Sequence, residues 1–174
     1  MNILHRSPLR WWLAVGWAGA ALALARADLK PGAPFPADWT SGLTGAARPD
    51  LAGKIILVDF CASWCAPCKA SFPVYDRLQA DYAGRGLAIV AVSVDEDPAA
   101  YAAFVRRLHP TFPVLLDSAQ RLVGAVQVPT MPTSYLLDRT GRVRYVHRGF
   151  HGASTERELR QHVEALLAEP AARS

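Results

Sequence analysis

Cysteine is scarce in this chain, since only three of its 174 residues are of that type. Cys61, Cys65 and Cys68 lie close together, and no second Cys/His pair at ligand spacing accompanies them. A structural zinc site needs such a second pair, so the sequence excludes it. A disulfide across two residues closes too short a loop to remove much entropy from the unfolded chain. Redox chemistry is therefore the favoured interpretation of the CxxC pair.

Long apolar runs are also lacking, with one exception near the start. Residues 11–25 are uncharged and follow Arg6 and Arg10. A helix of that length spans roughly 22 Å, less than the roughly 30 Å hydrocarbon core of a bilayer. We predict a signal peptide over residues 1–27, cleaved after Ala27, with retention as a short N-terminal anchor as the alternative. In either case the rest of the chain is exported.

An excess of charge of one sign is absent once this leader is set aside. Its three arginines leave 16 basic and 15 acidic side chains on the remaining residues. This balance predicts no nucleic-acid partner. His147 and His151 are four apart, but Gly149 and Gly152 argue against a helix that would align them. We therefore predict no metal site and no cofactor.

Periodicity predicts one α/β domain over residues 54–169, after a loop-rich segment at 28–53. Apolar runs predict the strands Ile55–Phe60, Leu87–Val94, Phe112–Leu116, Ser134–Leu137 and Arg142–Val146. Helical spacing predicts helices that begin at Pro67, at Pro98 after an Asp97 cap, at Ala119, and after a cap at Ser154 or Thr155. This order of elements predicts a mixed sheet with helices on both faces.

The dithiol falls where the first of these strands gives way to the first helix. Cys65 is then at the N-terminus of the helix, where unpaired N–H groups and the helix dipole favour a thiolate. Cys68 lies one turn further on, within reach for an intramolecular disulfide. The pair can therefore store and release two electrons.

Two motifs resemble those of the thioredoxin superfamily. One is the segment 58–69 with its core Trp64-Cys65-Ala66-Pro67-Cys68, and the other is Met131-Pro132-Thr133, which resembles a cis-proline loop. The extra helix and strand before that loop, the exported N-terminus and the segment 132–141 look like the TlpA/ResA-like subgroup. The resemblance covers residues 50–168. It implies a thioredoxin-like fold with a helix–strand insertion before the cis-proline loop.

The resemblance also implies roles for three residues. Cys65 matches the cysteine that attacks a client disulfide, and Cys68 matches the one that resolves the mixed disulfide. Asp59 matches a buried carboxylate beneath the dithiol, which helps to remove the proton of the resolving thiol. The alternative for Asp59 is a strand-end side chain turned to solvent.

Substrate binding is expected at Trp64, Thr130, Met131 and Pro132. A cis Met131–Pro132 bond would turn the Met131 backbone toward Cys65, where an extended client segment would pair with it. The alternative is an ordinary trans turn proline. Trp64 is either a partly exposed contact for the client or a core aromatic residue.

Two positions depart from the pattern of the subgroup. Many relatives carry Glu three residues after the second cysteine, where this chain has Ser71, so Asp59 is expected to serve as the acid instead. Relatives usually have Trp at the position of Cys61. Cys61 is expected to be a small buried residue, with thiol exchange with Cys65 or Cys68 as the alternative.

The leading hypothesis for function is a periplasmic thiol–disulfide oxidoreductase that reduces client proteins. The resemblance suggests apocytochrome c or copper-site assembly as the client pathway and a membrane dithiol transporter as the electron donor. The alternatives are an oxidant that donates disulfides, a copper-handling chaperone that uses the dithiol with His147 or His151, and a thiol peroxidase. The peroxidase is the weakest, because the sequence lacks that class's single cysteine in a Thr/Pro-lined pocket.

Overall fold

The computed structural model describes residues 28–170 of the chain. The predicted leader, residues 1–27, lies outside the described residues. Between residues 28 and 170, no helix has the length and the apolar character needed to cross a membrane.

Strands and helices alternate along the described residues, as the sequence predicts. The strands are β1 (Thr44–Gly45), β2 (Ile55–Cys61), β3 (Leu87–Ser93), β4 (Val114–Leu116), β5 (Thr133–Leu137) and β6 (Val143–Arg148). The helices are α1 (Ala66–Tyr82), α2 (Pro98–Leu108), α3 (Arg121–Val126) and α4 (Ala153–Ala168). The predicted strands are confirmed, with ends shifted by at most two residues. The helix and strand predicted as an insertion before the cis-proline loop are α2 and β4.

The strands form one mixed sheet in the order β1-β4-β3-β2-β5-β6. The three central strands β4, β3 and β2 are parallel, whereas β1, β5 and β6 each run antiparallel to a neighbour. β1 lies in the segment predicted to be loop-rich, and no sequence pattern marks so short a strand. Gly45 is required there, because its φ is +96° and a Cβ would collide with the Tyr101 hydroxyl.

Aromatic side chains pack on both faces of the sheet. On one face, the Phe72 ring of α1 lies 5.2 Å from the rings of Phe104 and Phe112. On the other, Tyr135 of β5 packs against Phe35 of the N-terminal segment, with ring centroids 5.8 Å apart. β2 is fully buried between these layers. The strand that leads to the dithiol is therefore held from both sides.

The predicted cap of α4 is wrong. The helix begins after Gly152, whose φ is +63°, and no side chain caps it. Because the chain turns through this glycine, Thr155 already lies in the first helical turn. Its hydroxyl accepts a hydrogen bond from the His151 N–H at 2.9 Å, before the helix starts.

A polar seam joins α4 to α1. Its three contacts are Arg77–Glu156 at 2.6 Å, Asp81–Arg160 at 2.7 Å and Tyr82–Glu164 at 2.8 Å. The first two pairs are partly exposed, so each adds little to stability. Glu156, Arg160 and Glu164 follow one another at four-residue intervals, so a single face of α4 makes all three contacts with α1.

We expect Phe72→Ala to lower the free energy of unfolding by roughly 3–5 kcal/mol, because it empties the space beside the buried rings of Phe104 and Phe112. Urea unfolding measures the change. Phe72→Leu, which keeps most of the volume, should cost less. A loss below about 1 kcal/mol for the alanine variant would contradict the packing described.

Candidate active site

The two cysteines of the motif form a disulfide at the N-terminus of α1, with an S–S distance of 2.00 Å. Cys65 is the N-cap residue, and its sulfur accepts the Cys68 N–H at 3.2 Å. Pro67 lies in the first turn, where its missing N–H costs no helical hydrogen bond. Cys65 retains 4% exposure and Cys68 none. Cys65 is thus the more accessible residue of the two.

A buried carboxylate holds the loop before Cys65. Asp95 follows β3 and accepts hydrogen bonds from the Ser63 N–H at 3.0 Å and the Ser63 hydroxyl at 2.8 Å. The Ser93 hydroxyl donates to it at 2.7 Å. Sequence reasoning missed Asp95. The only sign of it in the sequence is an acidic residue just after β3, a buried strand that lies next to β2 in the sheet.

The predicted client-binding residues lie around the same end of the sheet. Trp64 is 69% exposed and is therefore not a core residue. The Met131–Pro132 bond is cis. Thr133, which follows it, pairs with Phe60 near the end of β2, so the loop adjoins the strand end that leads to the dithiol. Thr130 is exposed at the start of this loop.

Asp59 lies on β2 and is fully buried, not turned to solvent. Its Oδ1 accepts hydrogen bonds from the Tyr75 hydroxyl at 2.9 Å and the Ser134 hydroxyl at 2.8 Å. Its Oδ2 is buried without a partner. Burial raises the pKa of Asp59 to about 7, although the two hydrogen bonds act in the opposite direction. Asp59 can therefore take up and release a proton near neutral pH.

The two positions that depart from the subgroup have structural contacts. Cys61 is fully buried, and its thiol donates to the Val92 carbonyl across a 3.7 Å separation. Burial, followed by the charges of Asp59 and Asp95, raises the pKa of this thiol well above its usual value. Cys61 therefore stays protonated as a packed side chain. Ser71 is buried as well, and its hydroxyl donates to the Cys68 carbonyl at 2.8 Å.

The two histidines named as alternative copper ligands, His147 and His151, lie in different environments. His147 is buried on β6 and contacts His162, a residue of α4 that sequence reasoning missed, with 3.2 Å between ring nitrogens. Burial lowers the pKa of His147 to about 4. His151 is exposed beyond the strand. Over residues 28–170, no three His, Cys, Asp or Glu side chains are grouped as metal ligands.

Comparison with known proteins reveals similarity over most of the chain. Residues 30–163 match the model of the Redoxin family. The thiol-disulfide oxidoreductase ResA of Geobacillus thermodenitrificans (strain NG80-2) is 31% identical over 117 residues, which are 67% of this chain and 66% of that protein. The matched region thus spans just under two thirds of that relative.

Solved structures share the fold. A Chlorobium tepidum protein assigned as a thiol:disulfide interchange protein, DsbE, superimposes with a TM-score of 0.71 at 30% identity, over 81% of this chain and 100% of that one. StoA from Bacillus subtilis superimposes with a TM-score of 0.54 at 26% identity, over 62% of this chain and 82% of that one.

The raised pKa of Asp59 predicts a pH-dependent stability. Between about pH 4 and pH 7 the folded protein holds a proton that the unfolded chain has released, so stability falls as the pH rises through this window. Asp59→Asn removes that dependence. Between pH 4 and pH 8, the free energy of unfolding of the wild type should therefore fall by roughly 2–4 kcal/mol more than that of Asp59→Asn.

Urea unfolding of the oxidised proteins at several pH values measures this difference. Asp97→Asn, at an exposed helix cap, is the matched control for removing a carboxylate. A difference between Asp59→Asn and wild type that stays constant with pH would show that Asp59 does not titrate as described.

Proposed function

The chain belongs to the Redoxin family, as a TlpA/ResA-like member of the thioredoxin superfamily, and on this premise we propose that it is a thiol–disulfide oxidoreductase that reduces the disulfides of client proteins. The observation that carries the proposal is the Cys65–Cys68 pair closed at the N-terminus of α1. That helix also carries Tyr75, which binds the buried acid Asp59.

Cys65 is the attacking cysteine in this proposal. In the reduced protein its thiolate is favoured by the Cys68 N–H and by the helix dipole. The thiolate attacks one sulfur of the client disulfide and forms a mixed disulfide. The other client sulfur leaves as a thiolate.

Cys68 then resolves the mixed disulfide. Its thiol gives a proton to the Asp59 carboxylate, and the resulting thiolate attacks the Cys65 sulfur. The Cys65–Cys68 bond forms, the bond from Cys65 to the client breaks, and the second client sulfur leaves as a thiolate. Two electrons have passed from the dithiol to the client. A carboxyl group with a pKa near 7 suits this proton transfer.

Client binding is assigned to the surface around the dithiol. Trp64 offers an exposed apolar ring beside Cys65. The backbone of Met131, in the cis-proline loop with Thr130 and Pro132, is proposed to pair with an extended client segment. This pairing is independent of the client's side chains, whereas the Trp64 contact favours apolar residues near the client cysteine.

The compartment and the partners belong to the same proposal. The predicted leader supports a periplasmic location for the domain, either free or held by a retained anchor. A reductant in an oxidising compartment requires a source of electrons, and a membrane dithiol transporter is proposed for that step. Cytochrome c maturation or copper-site assembly supplies the clients.

Cys68→Ala should trap covalent complexes with clients, because the mixed disulfide forms and is not resolved. Cys65→Ala should abolish exchange and trap nothing. Non-reducing gel electrophoresis of the purified variants with client proteins separates the two results. Cys61→Ala is the matched control and should behave as wild type, since its thiol is buried. Complexes with Cys65→Ala but not with Cys68→Ala would reverse the two roles.

The reduction potential tests the direction of electron flow. We expect a value near the thioredoxin end of the known range, roughly −270 mV. Titration of the dithiol against glutathione or dithiothreitol buffers measures it. A value of roughly −120 mV would instead make the protein a donor of disulfides.

A further inference from the structure

The two oxygens of Asp59 are not equivalent. Oδ1 accepts two hydroxyl hydrogen bonds, whereas Oδ2 is, over residues 28–170, the one buried side-chain oxygen or nitrogen without a partner. The buried Asp95 and Asp117 differ, because each of their oxygens accepts at least one hydrogen bond. Burying an unpaired carboxylate oxygen is costly. The unpaired Oδ2 of Asp59 therefore requires a chemical explanation.

The hydroxyl groups on Oδ1 come from two different elements. Ser134 pairs directly with Asp59 in the register between β5 and β2. Tyr75 lies seven residues after Cys68 on α1, and therefore on the same side of that helix. Both Cys68 and Tyr75 are buried, and helical side chains lean toward the N-terminus. Tyr75 thus reaches back toward Cys68 and holds the carboxylate on that side of α1.

The proton count suits a group that changes its charge. The Tyr75 and Ser134 hydroxyls lie 2.9 Å apart and form a closed triangle with Oδ1. When both hydroxyl protons point at Oδ1, they stabilise the carboxylate. When Oδ2 takes up a proton, Oδ1 still accepts as a carbonyl-type oxygen. The two hydroxyls therefore need not rearrange when Asp59 gains or loses its proton.

We propose that Tyr75 and Ser134 are positioning residues that engage Oδ1 of Asp59 and leave Oδ2 as the oxygen that exchanges a proton with Cys68. The inference rests on the proposed function, in which Asp59 accepts that proton. Ser71 does not compete for this role, because its hydroxyl donates to the Cys68 carbonyl.

Tyr75→Phe and Ser134→Ala test the proposal, since each removes one hydroxyl and keeps the packing. Each change takes a donor from the carboxylate and should raise the pKa of Asp59 by roughly one unit. Carbon-13 NMR titration of the carboxyl groups measures this pKa, with Asp59→Asn identifying the resonance. The same variants should shift the pH midpoint of mixed-disulfide resolution upward by the same amount, which slows resolution roughly fivefold at pH 7.

Tyr82→Phe is the matched control, because Tyr82 is on the same helix and its hydroxyl contacts Glu164 instead. This variant should change neither the pH midpoint of the carboxyl titration nor the pH midpoint of mixed-disulfide resolution. If resolution becomes slower but its pH midpoint does not change, Tyr75 and Ser134 contribute only packing and the proposal is wrong. A shifted carboxyl titration without a shifted kinetic midpoint would show that Oδ2 does not receive the Cys68 proton.

The NMR titration needs no catalytic activity. A wild-type protein without thiol exchange would therefore overturn the proposed function, while the titration would still report whether the two hydroxyls control the ionisation of Asp59.

Discussion

The antiparallel pairing of β2 with β5 places Ser134 opposite Asp59 and Thr133 opposite Phe60. Through the first pair, the buried carboxylate gains a hydroxyl donor. Through the second, the cis-proline loop is brought to the end of β2 from which the chain runs on to Cys65. A shift of one residue in this register would turn the side chain of Ser134 to the other face of the sheet. The acid, the dithiol and the loop are thus set by one strand pair.

Local sequence patterns predict much of this arrangement. The apolar run of β2 and the helical spacing after Pro67 are sufficient to place Cys65 at a helix N-terminus. The partners of Asp59 are not predictable in this way. Tyr75 has the spacing of an ordinary core residue on α1, and Ser134 is one hydroxyl in a buried strand. Their convergence depends on tertiary packing, which periodicity does not report. Asp95 follows β3 and binds Ser63, which follows the neighbouring strand β2, and it escaped prediction for the same reason.

Cys61 and Ser71, the two positions that depart from the pattern of the subgroup, both make structural contacts near the dithiol. The small Cys61 side chain packs in the sheet with its thiol directed at β3, and burial keeps it protonated. The Ser71 hydroxyl turns back onto its own helix. Neither residue supplies an acid or a base beside the dithiol. Under the proposed function, Asp59 is the residue that handles the proton.

The two edges of the sheet affect the tendency of the protein to associate with copies of itself at high concentration. The N-terminal segment pairs with the start of β6 through the Gly32 and Val143 backbone. Further along β6, Arg144 is bound to Glu169 and Arg148 to Asp28. At the opposite edge, β1 is only two residues long. Charged side chains and short edge strands hinder the addition of strands from other molecules. Under the proposed function, a protein that pairs with extended client segments avoids in this way polymerising with copies of itself.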